Sequence, residues 1–124
     1  MCKGVKPDNT QIEMLHTLKK SGYTIFCVSN CIRNTIELCL QGLHIIQFFS
    51  GIISNEDTRE PKPSPLPYLT AFDKYNVLPD ECLILEDSPY GIMSAKLSGA
   101  HVLCIDNIRD VNIDNILRLI DSYT

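Results

Sequence analysis

The sequence predicts an α/β fold built on a mainly parallel sheet, and three observations carry that expectation. Apolar runs of strand length, at 23–28, 82–85 and 102–105, alternate with segments whose apolar residues recur at helical spacing. Two of these runs end abruptly on polar residues, Ser29-Asn30 and Glu86-Asp87, each followed at once by a helical pattern. Such strand-to-helix junctions lie at the carboxyl edge of an open sheet, where these folds bind ligands. Finally, 124 residues with 44% apolar content suit one core and one domain, 1–124.

Taken in order, Asp8 or Asn9 can cap a first helix through Ile12, Leu15 and Leu18, closed by Lys19, Lys20, Ser21 and Gly22. Tyr23–Val28 reads as a strand. A second amphipathic helix follows through Ile32, Ile36, Leu40 and Leu43. Phe48–Ile53 reads as a short strand and 54–67 as a loop. That loop carries prolines 61, 63, 65 and 67, which fix φ and restrict the residue before each, so it should be extended and stiff. A helix is predicted over Leu66–Tyr75, a strand over Cys82–Leu85 and a helix over Gly91–Leu97. Ser88-Pro89 supplies the cap and first-turn proline of that helix. A strand over Val102–Ile105 and a last helix through Ile113, Ile116, Leu117 and Ile120 complete the pattern.

Several function classes fall away on composition. Net charge is −4 with no cluster of Lys or Arg, which argues against a nucleic-acid backbone as partner. The apolar runs fall short of the roughly 20 residues that span a bilayer, so no membrane partner is expected. The first residues lack the apolar core of a signal peptide, and the cytoplasm is the expected location. The six cysteines include no C-x-x-C pair, and His16, His44 and His101 have no ligand-type spacing to them, which argues against zinc. Cysteines inside apolar runs are explained as small hydrophobes, and a disulfide framework is not expected.

The chemistry-bearing candidates are a small hydroxyl after one strand (Ser29), a lysine in the proline-rich loop (Lys62) and an acid pair after the next strand (Glu86, Asp87). Singly, each has a plain explanation as a helix cap, a solvated loop charge or strand-end acids. Adjacent carboxylates at a strand end also suit a hard cation such as Mg²⁺, which takes oxygen ligands.

In this order and setting, Val28-Ser29-Asn30, Pro61-Lys62-Pro63-Ser64-Pro65 and Leu85-Glu86-Asp87-Ser88 with Gly91, Ala95 and Gly99 resemble the second, third and fourth motifs of the haloacid dehalogenase-like phosphohydrolases. The similarity is to their β-phosphoglucomutase-like phosphatase branch and covers roughly residues 5–106. It implies a three-layer Rossmann-like core and a small phosphorylated metabolite as substrate. It also implies that Ser29 donates to a phosphate oxygen, that Lys62 offsets phosphoryl charge, and that Glu86 and Asp87 hold Mg²⁺. Asn30 and Arg33 are assigned to orienting the substrate.

The resemblance also exposes a gap. The family's first motif, an apolar strand ending in Asp-x-Asp, has no counterpart here: before Ser29 the acids are only Asp8 and Glu13. Its first Asp is the nucleophile that becomes an aspartyl phosphate. That strand would lie centrally, between the strands ending at Ser29 and at Leu85, and the cap that usually follows it is absent as well. The expected fold is therefore truncated. Either the flanking strands pair directly, or a partner chain supplies the strand, or the chain self-associates as a homo-oligomer. Two functions stay open: a Mg²⁺-dependent phosphatase or phosphomutase lineage whose isolated chain is inactive or is one half of a split enzyme, and a non-catalytic phosphate- and metal-binding or regulatory module.

Overall fold

A computed structural model of the chain describes residues 8–105 and 113–123. Among them the order is α1 (Asn9–Lys20), β1 (Phe26–Val28), α2 (Arg33–Gly42), β2 (Gly51–Ile53), α3 (Leu66–Tyr75), β3 (Leu83–Glu86), α4 (Pro89–Ser98), β4 (His101–Cys104) and α5 (Ile113–Tyr123). Short 3-10 turns stand at Ile46–Phe48 and Pro79–Glu81.

Local chemistry accounts for most of the boundaries. The Asp8 carboxylate accepts from Thr10 N–H (2.8 Å) and starts α1. Ser88 accepts from Gly91 N–H (3.1 Å) ahead of Pro89, and α4 stops at Gly99, whose φ of +88° is open to glycine at little cost. Asn76, at φ +56°, ends α3 in the same left-handed way. The expected cap of α2 is different. Its N-cap is Ile32, which has no side chain able to accept, while Ser29 turns back to accept from Cys31 N–H (3.1 Å). The predicted strand over Phe48–Ile53 is shorter because Ile46–Phe48 coils into the 3-10 turn, leaving Gly51–Ile53 to pair.

The strands pair in parallel as β1 with β2 and β3 with β4, each pair joined by a helical crossover. Alternate residues face opposite layers. On one side Leu83 and Leu85 pack with Met14, Leu15 and Leu18 of α1 and Ile116 of α5, and Cys27 and Ile52 pack with Ile36 and Leu40 of α2. On the other, Val28, Ile84 and Val102 pack with Tyr68 and Phe72 of α3 and Ala95 of α4. This is the expected three-layer parallel α/β core.

Among the described residues the expected gap is present. β1 and β3 do not pair with each other, so the direct closure entertained from sequence does not occur, and two half-sheets stand side by side. They are held by the helical layers, through α3 against α4 and α1 against α5. Between them lies a cavity of about 710 Å³, lined by both strand edges and by side chains of α1, α3 and α5.

One cysteine departs from expectation: Cys39, on α2, is disulfide-bonded. Cys27, Cys31, Cys82 and Cys104 are free. No described helix is long and apolar enough to cross a membrane.

Candidate functional site

Lys62 organises the carboxyl edge. Its side chain is only 11% exposed, and its ammonium donates to the Val28 carbonyl (2.9 Å) and to the Glu86 carboxylate. One cation thus joins the end of β1 to the end of β3. The loop that carries it is anchored by two side chains. Asn30 accepts from Lys62 N–H (2.9 Å), and its amide donates to the Lys62 carbonyl (3.5 Å). Ser94, fully buried on α4, donates to the Ser64 carbonyl (2.6 Å). Asn30 therefore pins the backbone of the lysine loop, a role the sequence did not suggest.

Glu86 is 8% exposed, the most polar buried side chain among the described residues. Strand alternation turns it toward α3, where Tyr68 hydroxyl donates to the same carboxylate oxygen as Lys62. Burial, then the hydrogen bond to Glu86, push the Tyr68 hydroxyl well above its ordinary value, so it stays protonated and remains a donor. The Lys62 ammonium also lies 5.0 Å from the Tyr68 ring centroid. Tyr68 was missed from sequence. Its signal was present, since a tyrosine one turn before Phe72 on the apolar face of a helix has a hydroxyl that needs a buried partner. Gly91 completes this pocket: a Cβ there would overlap the Glu86 carboxylate.

Asp87 directly follows β3. It is exposed and has no ion-pair or hydrogen-bond partner among the described residues. The acid pair therefore divides into a structural half, tied to Lys62 and Tyr68, and a free half. Ser29 is half-buried beside Val28, and its oxygen accepts from Cys31 N–H, which leaves its O–H to donate outward. Arg33 stands apart from this cluster. Its guanidinium donates to Asp57 (2.7 Å) and to the Ile52 carbonyl (3.0 Å), while its N–H at the start of α2 is taken by Glu56 (2.9 Å). Hydrogen bonds from Ser54 backbone and hydroxyl, with the Arg33 charge beside it, hold the Asp57 carboxyl below the usual carboxylate range. The structure thus brings Ser29, Asn30, Lys62, Glu86 and Asp87 to one edge and ties Arg33 into a loop bridge.

For Mg²⁺ the donor set fits in a limited way. The ion is commonly held by one or two carboxylates, with water and phosphate completing its shell. Asp87 is free and Glu86 keeps one oxygen not taken by Lys62 and Tyr68, but no group of three His, Cys, Asp or Glu gathers among the described residues.

Comparison with known proteins identifies the family. A family model described as haloacid dehalogenase-like hydrolase matches residues 2–105. A haloacid dehalogenase-like hydrolase domain-containing protein of Arabidopsis thaliana is 32% identical over 98 residues, 77% of this chain and 31% of that protein. A phosphoglycolate phosphatase of Nitrosococcus oceani is 30% identical over 112 residues, 85% of this chain and 50% of that one. The crystal structure of β-phosphoglucomutase from Clostridium difficile superposes with a TM-score of 0.79 at 20% identity, over 99% of this chain and 59% of that one, a likeness of fold. The chain spans about a third to a half of the length of these curated relatives.

Proposed function

Because the chain belongs to the haloacid dehalogenase-like hydrolase family, we propose that its carboxyl edge is the phosphate and Mg²⁺ cradle of a phosphohydrolase acting on small phosphorylated metabolites, and that the chain alone holds phosphate without turning it over. The observation that supports this most is the Lys62 ammonium, which joins the end of β1, just before Ser29, to the end of β3, just before Asp87. Ser29 O–H donates to one phosphate oxygen. Lys62, held by Asn30 and Ser94, offsets the phosphoryl charge from a fixed position, which is worth more at a partly buried edge than in water. Asp87, with the free oxygen of Glu86, holds Mg²⁺, which when bound neutralises phosphate charge.

The same geometry supports the lack of turnover. Glu86 is occupied by two donors, Lys62 is ion-paired and Asp87 is turned to solvent as a metal anchor. None is left to attack phosphorus, and loss of a covalent nucleophile costs several orders of magnitude in rate. A reading as a binding or regulatory module rests on this same observation. The relatives' phosphatase names suggest the substrate class.

The test is hydrolysis of p-nitrophenyl phosphate by the purified chain with and without Mg²⁺, beside Asp87→Asn, together with orthophosphate binding. Phosphate binding that needs Mg²⁺ and Asp87, with no hydrolysis above the variant, is the expected result. Metal-dependent turnover lost in the variant would show a nucleophile at work and refute the inactive reading.

A further inference from the structure

We propose that Tyr68 is a positioning residue for the cation of the carboxyl edge: its hydroxyl fixes the orientation of the Glu86 carboxylate and so favours Mg²⁺ over Ca²⁺ there. The inference rests on the phosphate and Mg²⁺ reading above and deepens it, by naming a residue outside the cation's own ligands that selects the ion.

Tyr68 sits in the first turn of α3, just after the loop that carries Lys62, and is 5% exposed. The two side chains converge on one Glu86 oxygen, Oε2, the ammonium from the loop and the hydroxyl from the helix. The Tyr68 ring also supports the ammonium, with Nζ 5.0 Å from its centroid. For packing alone a phenylalanine would serve, as Phe72 does one turn on in the same apolar cluster. What the hydroxyl adds is a second donor to Glu86.

Two donors achieve what one does not. The terminal torsion of a glutamate is broad, so a carboxylate held by the lysine alone is free to turn its plane about the shared oxygen. The donor arriving from α3 removes that freedom. Gly91 bounds the carboxylate on the α4 side, where a Cβ would meet Oε1 first. Among the described residues Oε1 accepts no hydrogen bond, since both donors to Glu86 go to Oε2. No side-chain nitrogen or oxygen there is buried without a partner, so Oε1 reaches solvent. One oxygen is thus committed to the protein and the other is left, in a set direction, for a ligand.

A direction fixed in advance matters unequally to the two hard cations. Mg²⁺ demands near-octahedral geometry at about 2.0–2.1 Å, whereas Ca²⁺ takes about six to eight oxygens at about 2.3–2.6 Å in flexible arrangements. A carboxylate that turns freely still serves Ca²⁺ and serves Mg²⁺ poorly. Hydrogen-bond partners behind a metal ligand typically carry about 10–100-fold in metal affinity.

The test titrates Mg²⁺ and Ca²⁺ by calorimetry into the purified chain, Tyr68→Phe and Phe72→Leu, each checked for fold by circular dichroism. The Glu86 carboxylate carbon is followed by ¹³C NMR without metal. Tyr68→Phe should weaken Mg²⁺ binding by about tenfold and Ca²⁺ binding by about threefold or less, and should move the carboxylate resonance. Phe72→Leu thins the same apolar cluster while keeping the hydroxyl, and should leave both affinities and the resonance as they are. Unchanged Mg²⁺ affinity in Tyr68→Phe, or equal losses for the two ions, would overturn selection by Tyr68. An Mg²⁺ loss in Phe72→Leu as large as in Tyr68→Phe would overturn the hydroxyl's part, leaving packing as the cause. If the unaltered chain binds neither ion, the Mg²⁺ reading of the edge fails and ion selection with it. The resonance then decides the positioning by itself, and one unmoved in Tyr68→Phe would overturn that as well.

Discussion

Replacing Lys62 by Met removes the charge that holds the two half-sheets together at their carboxyl edge while keeping most of the stem's volume. The pair it breaks is buried, with side-chain exposures of 11% for Lys62 and 9% for Glu86. Removing one partner of such a pair typically costs 3–5 kcal/mol, because the remaining charge is left in a poorly hydrated place. Glu86 keeps its Tyr68 donor and borders the open cleft, so the lower end applies, about 3 kcal/mol. The lost cation–π contact with Tyr68 adds about 0.5–1 kcal/mol. With a urea slope of about 1.5 kcal/mol/M for a domain of this size, the unfolding midpoint should fall by about 2.5 M. Glu86→Gln should cost a similar amount, and the double variant clearly less than the sum, with a coupling of about 1.5 kcal/mol or more. Urea titrations followed by circular dichroism read all four corners of the cycle. A loss under about 0.5 kcal/mol in Lys62→Met, or strict additivity in the double variant, would refute the buried pair as the clamp between β1 and β3.

Other expectations follow from neighbouring residues. Gly91→Ala should destabilise by about 1–3 kcal/mol, since the added methyl overlaps the Glu86 carboxylate; thermal melts will show it, and an unchanged Tm would mean the carboxylate lies elsewhere. Asp87→Asn should leave the urea midpoint unchanged while abolishing Mg²⁺ binding by calorimetry, because this acid is exposed and unpaired. The Asp57 carboxyl is held low in the folded chain by Ser54 and Arg33. Its contribution to stability is therefore full above the ordinary carboxylate range and is lost as pH falls through its lowered value. The stability gap between the chain and Asp57→Asn should accordingly narrow on going from pH 7 to strongly acidic buffer. Burial pushes the Cys27 thiol up, so at pH 8 it should react with a thiol-specific reagent more slowly than exposed Cys104.

The order of strands and helices was legible in the sequence because each element carries its own local signal. Leu66–Tyr75 was expected over the residues it occupies, and Asp8, Ser88 and Gly99 mark ends through side chains or conformations that act within one turn. The edge residues Ser29, Lys62, Glu86 and Asp87 were also readable, since parallel strands bring their carboxyl ends to one side whatever the details of packing. The absence of Asp-x-Asp was visible in the same way.

What sequence could not assign was the partner of each side chain, because those pairings join segments some twenty to thirty residues apart. Asn30 meets the Lys62 backbone, Tyr68 meets Glu86, and Arg33 meets Asp57, none of which is encoded by spacing along the chain. Sequence equally left open how the fold accommodates a missing central strand. Only the packing of α3 on α4 and of α1 on α5 decided it, by holding the half-sheets in place and the cleft between them open. Local propensity and periodicity determine which elements form and where their ends lie. Long-range burial and charge pairing determine which edge stays bare, and that choice belongs to the tertiary structure alone.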